Sequence, residues 1–92
     1  MKEITGIQID PADTVGIVLQ AARAGDCIRL GTEQVTAAEA IPANHKVALR
    51  DIPVGEAVYK YGCPIGYATA PIKRGEHVHV HNLDSEQMLQ KG

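Results

Sequence analysis

The chain has neither tryptophan nor phenylalanine, and Tyr59, Tyr61 and Tyr67 are its only aromatics apart from histidine in 92 residues. Without large flat side chains, a single domain this small has little with which to wall a deep pocket. A site shared with another domain or chain therefore fits the composition better than a self-sufficient one. Its two cysteines, Cys27 and Cys63, lie far apart and outside any Cys-x-x-Cys spacing, which excludes a zinc knuckle and a disulfide framework. Both read as ordinary small apolar residues. Nine Lys and Arg against eleven Asp and Glu give a net charge of −2, with the two signs interspersed. There is no basic stripe of the kind a phosphate backbone demands, so nucleic acid is not an expected partner. No apolar run approaches the length of a membrane span. The opening Met1-Lys2-Glu3-Ile4 lacks the apolar stretch and cleavage site of a secretory signal, and the expected compartment is the cytoplasm.

What the sequence does have is a recurring corner. An apolar residue, two variable positions, Gly or Asn, two more positions and then Val or Ile occur four times. The copies are Ala22-Arg23-Ala24-Gly25-Asp26-Cys27-Ile28, Ile41-Pro42-Ala43-Asn44-His45-Lys46-Val47, Ile52-Pro53-Val54-Gly55-Glu56-Ala57-Val58 and Ile72-Lys73-Arg74-Gly75-Glu76-His77-Val78. Glycine suits a backbone position with positive φ and asparagine is among the few other residues that tolerate it, so Asn44 is consistent with the same turn. Each copy predicts a turn feeding a short strand. The spacing is too irregular for a solenoid.

Between the corners, the runs Ile4 to Ile9, Val15 to Leu19, Cys27 to Leu30, Lys46 to Arg50, Ala57 to Tyr61, Ile65 to Thr69 and His77 to His81 have strand character. Many short strands separated by Gly and Pro predict an all-β domain over residues 1–83. Val15 to Ala24 is long enough for a helix, but its β-branched start and Gly16 favour a strand. Thr36-Ala37-Ala38-Glu39 has the capping-box form and predicts a single helical turn. Residues 84–92 are polar, with only Met88-Leu89 apolar, and read as a tail, linker or brief helix. The glycines belong to turns, since no phosphate loop ending in Gly-Lys-Ser/Thr is present.

The run Gly75-Glu76-His77-Val78-His79-Val80-His81-Asn82-Leu83 carries three of the four histidines, alternating with valines. In an extended strand His77, His79 and His81 would line one face and Val78 and Val80 the other. Neighbours two apart lie about 7 Å from Cα to Cα, so two of the three can share one ion and all three cannot unless the strand bends. Aligning the four copies places Lys46, Ala48 and Arg50 in phase with Ala57, Tyr59 and Tyr61 and with the histidines. Val47, Leu49, Val58, Val78 and Val80 then form the core face. A polar surface of Lys46, Arg50, Tyr59, Tyr61 and the histidines would suit an acidic small molecule, given a favourable strand order.

The segments Ile41-Pro42-Ala43-Asn44-His45-Lys46-Val47-Ala48-Leu49-Arg50-Asp51-Ile52, Lys60-Tyr61-Gly62 with Ile65-Gly66 and Ala68-Thr69, and Gly75 to Leu83 closely resemble the SAF-type domain of the altronate and galactarate dehydratase family. Asp13-Thr14-Val15 matches more loosely. The resemblance implies a small β-clip fold and participation in a metal-dependent hydro-lyase acting on sugar acids. The domain would be an N-terminal region or a separate small subunit, nearly inactive without a large catalytic partner. The family usually has Gly at the position of Asn44. A related branch, the alpha subunit of sulfolactate sulfo-lyase, matches equally well, so a sulfonated hydroxy acid is an alternative substrate. A non-catalytic module that binds a carboxylate or carbohydrate, or only docks subunits, is a reading of a different class. Assembly into a homo-oligomer is compatible with each.

Dehydrating a hydroxy acid takes a proton from the carbon beside the carboxylate and expels hydroxide, so the site must stabilise an enolate-like dianion. His79 and His81 are the candidate catalytic residues. They are also the candidate ligands of a divalent ion, for which iron and manganese suit imidazole better than magnesium does. The plain alternative is a solvated strand face. His77, next to the turn, is expected to point away. His45, Lys46, Arg50, Lys60, Tyr61 and Asn82 are the candidate substrate-binding residues. Arg50 suits a carboxylate but is nearly as well explained by an ion pair with Asp51 or Glu56. Asn82 either orients a neighbouring histidine or bonds backbone at a strand end.

Overall fold

Each of the four corners closes on itself with a hydrogen bond between its variable positions. In the computed structural model, which describes residues 2–84, the N–H groups of Asp26, His45, Glu56 and Glu76 donate to the carbonyls of Arg23, Pro42, Pro53 and Lys73. The residue before each donor has positive φ, with Gly25 at 94°, Asn44 at 68°, Gly55 at 86° and Gly75 at 92°. A positive φ at the third residue is the signature of a type II turn. The apolar residues that open the copies pair across the molecule: Ala22 bridges Ile41, and Ile52 bridges Ile72. All four are buried.

The described residues form nine strands and no helix: β1 (Glu3–Ile7), β2 (Val15–Val18), β3 (Cys27–Leu30), β4 (Glu33–Thr36), β5 (Lys46–Ala48), β6 (Ala57–Lys60), β7 (Cys63–Ala68), β8 (His77–Val78) and β9 (Leu83–Asp84). Six make one sheet in the order β4-β3-β1-β2-β5-β8 and three make another, β6-β7-β9. All pairs are antiparallel except β1 with β3. No helix among the described residues is long and apolar enough to cross a membrane.

The hydrogen bonds of one unit recur in a second roughly thirty positions further along the chain. Gly25 donates to Ala37 and Ala37 to Asp26; likewise Gly55 donates to Ala68 and Ala68 to Glu56. Asn44 donates to Val18 and Val18 to His45; likewise Gly75 donates to Ala48 and Ala48 to Glu76. The core follows this duplication. One buried cluster includes Ile4, Ile28, Leu30, Ile41 and Val47, and the other Val15, Ala48, Val58, Ile72 and Val78. Strand β5 serves both, Val47 facing the first cluster and Ala48 the second, as alternation along a strand requires.

Several expected elements differ. Thr36 ends β4 instead of capping a helical turn, because Ala37 and Ala38 spend their N–H groups on Asp26 and Gly75. Tyr61 is outside β6: with φ of 57°, followed by Gly62 at 74°, it makes the two-residue connection to β7. Ile9 is 63% exposed beyond the end of β1. The histidine run pairs as a strand only at His77 and Val78, after which residues 79–82 turn, leaving Val80 82% exposed instead of in the core. Asp84 pairs with Tyr67 in β9, while residues 85–92, including Met88 and Leu89, lie outside the described residues.

Candidate functional site

The turn at residues 42–45 delivers His45 to the start of β5, and β5 lies beside β8 with Val47 opposite His77 and Lys46 opposite Val78. Residues directly opposite in an antiparallel pair share a face, as do residues two apart. This register therefore brings His45 and His77 to one face and sets Lys46 on the other, and the bend after Val78 adds His79 to the pair. His45 Nδ1 and His77 Nε2 are 2.9 Å apart. The His79 ring lies 4.7 Å from that of His45 and stacks on His77 at 5.5 Å and 11°. One nitrogen from each of the three falls within 4.8 Å of the others. The His81 ring is 5.4 Å from that of His77 and outside this trio.

The surrounding backbone is held by two side chains. Asn82, 6% exposed, accepts from the His79 N–H through Oδ1 at 2.9 Å and donates from Nδ2 to the His77 carbonyl at 2.9 Å. It fixes the bend at which the strand stops and His79 swings toward His45. Glu39 accepts from the His77 N–H at 3.1 Å. Burial pushes the His77 imidazole below its ordinary pKa; His45, His81 and His79 add to that, and Glu39 opposes it. The neutral ring is thus the favoured form, able to share the hydrogen bond with His45 or, in its place, to ligate a metal.

The expected site residues divide between the two faces. His45, His77 and His79 meet, with His81 at their margin, and Asn82 supports them through backbone. Lys46 is half-buried on the opposite face, where burial first and the Lys60 charge second hold its pKa below the usual lysine range. The Lys60 ammonium sits 4.8 Å from the Tyr61 ring centroid. Arg50 is exposed beyond β5 and makes no ion pair among the described residues, Asp51 instead accepting from the Arg74 N–H. Phase along aligned repeats does not determine which residues of two paired strands share a face; register does, and that is why Lys46 parts from the histidines.

Two contributors to the histidine site, and a buried carboxylate at the β6–β7 hairpin, carry no strong signal in the sequence. His77 is central instead of turned away, and its signal is the equivalence of the second and fourth corners, which invites pairing of the strands that follow them. Glu39 comes from a different part of the chain. Asp13, 1% exposed, accepts from the Gly62 N–H at 2.7 Å and the Asp10 N–H at 3.1 Å. Burial raises its pKa, but donors from Gly62, Asp10, Tyr61 and Ile9 together draw it below the usual carboxylate value.

Residues 4–86 match the family model described as the altronate/galactarate dehydratase SAF domain. The chain is 42% identical over 76 residues to altronate dehydratase of Escherichia coli K12, a match covering 83% of this chain and 15% of that protein. It is 38% identical over 85 residues to the (2R)-sulfolactate sulfo-lyase subunit alpha of Chromohalobacter salexigens, covering 85% of this chain and 90% of that subunit. Galactarate dehydratase (L-threo-forming) of E. coli K12 is 38% identical over 74 residues, 78% of this chain and 14% of that enzyme. The chain thus spans about a seventh of the dehydratases it matches and nearly all of the sulfo-lyase subunit. On the strength of a match running through nearly its whole described length, the chain belongs to the SAF domain family of the altronate/galactarate dehydratases.

Proposed function

We propose that this domain completes the site of a lyase that eliminates water from a sugar acid, the rest of the site belonging to a larger catalytic region or subunit. The observation that carries the reading is the convergence of three imidazole nitrogens within 4.8 Å in a member of this family. These donors fit a divalent ion. Two nitrogens at about 2.1 Å from one tetrahedral metal sit roughly 3.4 Å apart, so His45 and His77, hydrogen-bonded to each other at 2.9 Å, would part slightly and His79 would close in to share an ion. An all-imidazole set favours iron or manganese over magnesium.

His45, His77 and His79 would hold the ion, which supplies Lewis-acid stabilisation of the enolate-like dianion. Asn82 and Glu39 fix the backbone from which His77 and His79 project. His81, exposed at the margin of the cluster, would hand a proton to the departing hydroxyl. The residue that takes the substrate's carbon-bound proton would come from the larger partner, since this domain offers few side chains with which to enclose a substrate.

The near-full coverage of the sulfo-lyase alpha subunit favours a second reading, in which this chain is such a small subunit and the group expelled is sulfite. Co-expression with the large subunit and assay with altronate, galactarate and sulfolactate separates the two. In the active complex, His79→Ala and His45→Ala should each lower turnover by about a hundredfold or more and reduce bound metal. Unchanged activity and metal content in both variants would leave only a docking role for the domain.

A further inference from the structure

We infer that Pro42 is a positioning residue for the histidine cluster: having no backbone N–H, it leaves the His45 ring free to meet His77. The four corners differ at their first turn residue, which is Arg23, Pro42, Pro53 or Lys73. The side chain three positions on is Asp26, His45, Glu56 or Glu76. Where the first residue carries an N–H, the later side chain reaches back and captures it. The Arg23 N–H donates to Asp26 Oδ2 at 2.9 Å, and the Lys73 N–H to Glu76 Oε1 at 2.8 Å. Acceptance from the backbone three residues earlier is a common local capture at turns and caps.

Proline has no N–H to offer, and at both proline corners the later side chain is released. Glu56 is exposed, and its carboxylate has no hydrogen bond or ion pair among the described residues. His45 instead brings Nδ1 to 2.9 Å from His77 Nε2. Glu56 decides between two explanations of the difference. It carries the same carboxylate as Glu76 at the same place in the same turn, yet it makes no reach-back bond. The proline, not the type of side chain, therefore governs the release.

The covalent structure of histidine makes this release matter. Nδ1 is attached to Cγ, as is the Asp26 Oδ2 that accepts in the first corner, and a neutral imidazole has one ring nitrogen able to accept. An N–H at position 42 would compete with His77 for the Nδ1 atom. Pro42 is exposed, so core packing does not require it there. Nor does the turn depend on its ring, since the His45 N–H donates to the residue-42 carbonyl at 3.1 Å, a bond that alanine would also accept. The value of Pro42 to function rests on the metal-centre reading of the histidines, whereas its hold on the ring does not.

The test compares Pro42→Ala with Pro53→Ala, which removes a proline from the same place in a corner whose released side chain is outside the cluster. Nitrogen-15 NMR of the metal-free 92-residue chain should show coupling across the hydrogen bond between His45 Nδ1 and His77 Nε2, in the parent and in Pro53→Ala alike. In Pro42→Ala the coupling should be lost, and the new residue-42 amide should exchange with solvent about tenfold or more slower than an open amide. Manganese(II) affinity, read from paramagnetic broadening of the histidine resonances, should weaken about tenfold in Pro42→Ala, the worth of one hydrogen bond that the ion must break. It should be unchanged in Pro53→Ala. A residue-42 amide that exchanges freely while the His45–His77 coupling persists would overturn the inference. So would an equal loss of coupling in Pro53→Ala, which would assign the effect to backbone stiffness. A parent chain that binds no manganese would sink the metal-centre reading alone, because coupling and amide exchange are read without metal.

Discussion

Asp13 shows how one buried side chain can govern a distant tip of the fold. Its carboxylate receives hydrogen bonds from residues close in sequence and from Gly62, 49 positions away, so it pins β1's exit to the β6–β7 hairpin. These donors favour the ionised form, and the folded-state pKa lies below the ordinary carboxyl value near 3.9. The sign of the pH dependence follows. Above about pH 4 the group is ionised in both folded and unfolded chains and its stabilisation is complete; below that the unfolded chain takes up the proton first, and the stabilisation disappears as pH falls through the folded value. Asp13→Asn should therefore be less stable than the parent at pH 7, by about 1–3 kcal/mol for a weakened buried acceptor. The gap should narrow steadily below about pH 4. Urea unfolding midpoints across that range measure it, and a gap independent of pH would show that charge on Asp13 contributes nothing.

At the scale of elements, the four corners were legible because positive φ admits so few residue types, and all four marked positions adopt it. Their surroundings were not legible. A Cβ at Gly25 would meet nothing within 4 Å, whereas one at Gly75 would lie 2.3 Å from the Thr36 carbonyl oxygen. Gly25→Ala should cost only the conformational penalty of roughly 1 kcal/mol. Gly75→Ala should exceed about 4 kcal/mol, because backbone cannot step aside as a side-chain tip can. Thermal unfolding of the two variants compares them directly, and equal losses would mean that the β4 end is free to shift. Strand β4 escaped prediction for a related reason: Glu33, Gln34 and Thr36 are polar, only Val35 is buried, and Thr36 to Glu39 carries a helix-start pattern that is satisfied by sheet partners instead. The histidine run misled in the opposite direction. Its alternation is that of a strand, yet Asn82 captures the His77 carbonyl and the His79 N–H and bends the chain after two paired residues.

For the molecule as a whole, the histidine cluster lies where the two similar units meet. His45 leaves the second corner of one unit, His77 and His79 follow the second corner of the next, and β5 against β8 is the seam between them. Sequence alone identified the histidines and the corners, but only the register across that seam decides which side chains meet. An ion bound to residues of both units would couple its own affinity to the docking of those units, since the unfolded chain brings the same ligands together rarely. Manganese(II) or anaerobic iron(II) at about a hundred times its dissociation constant should then stabilise the fold by about 2.7 kcal/mol. For a domain of this size that is a rise of roughly 10 °C or more in Tm. His45→Ala should abolish most of that rise while changing the metal-free Tm little, because His45 is only half-buried. Lys60→Gln, in the three-stranded sheet, should keep the rise in full. Differential scanning calorimetry with and without metal measures all three proteins, and a parent Tm unmoved by metal, or an equal rise in His45→Ala, would mean that the seam holds no ion.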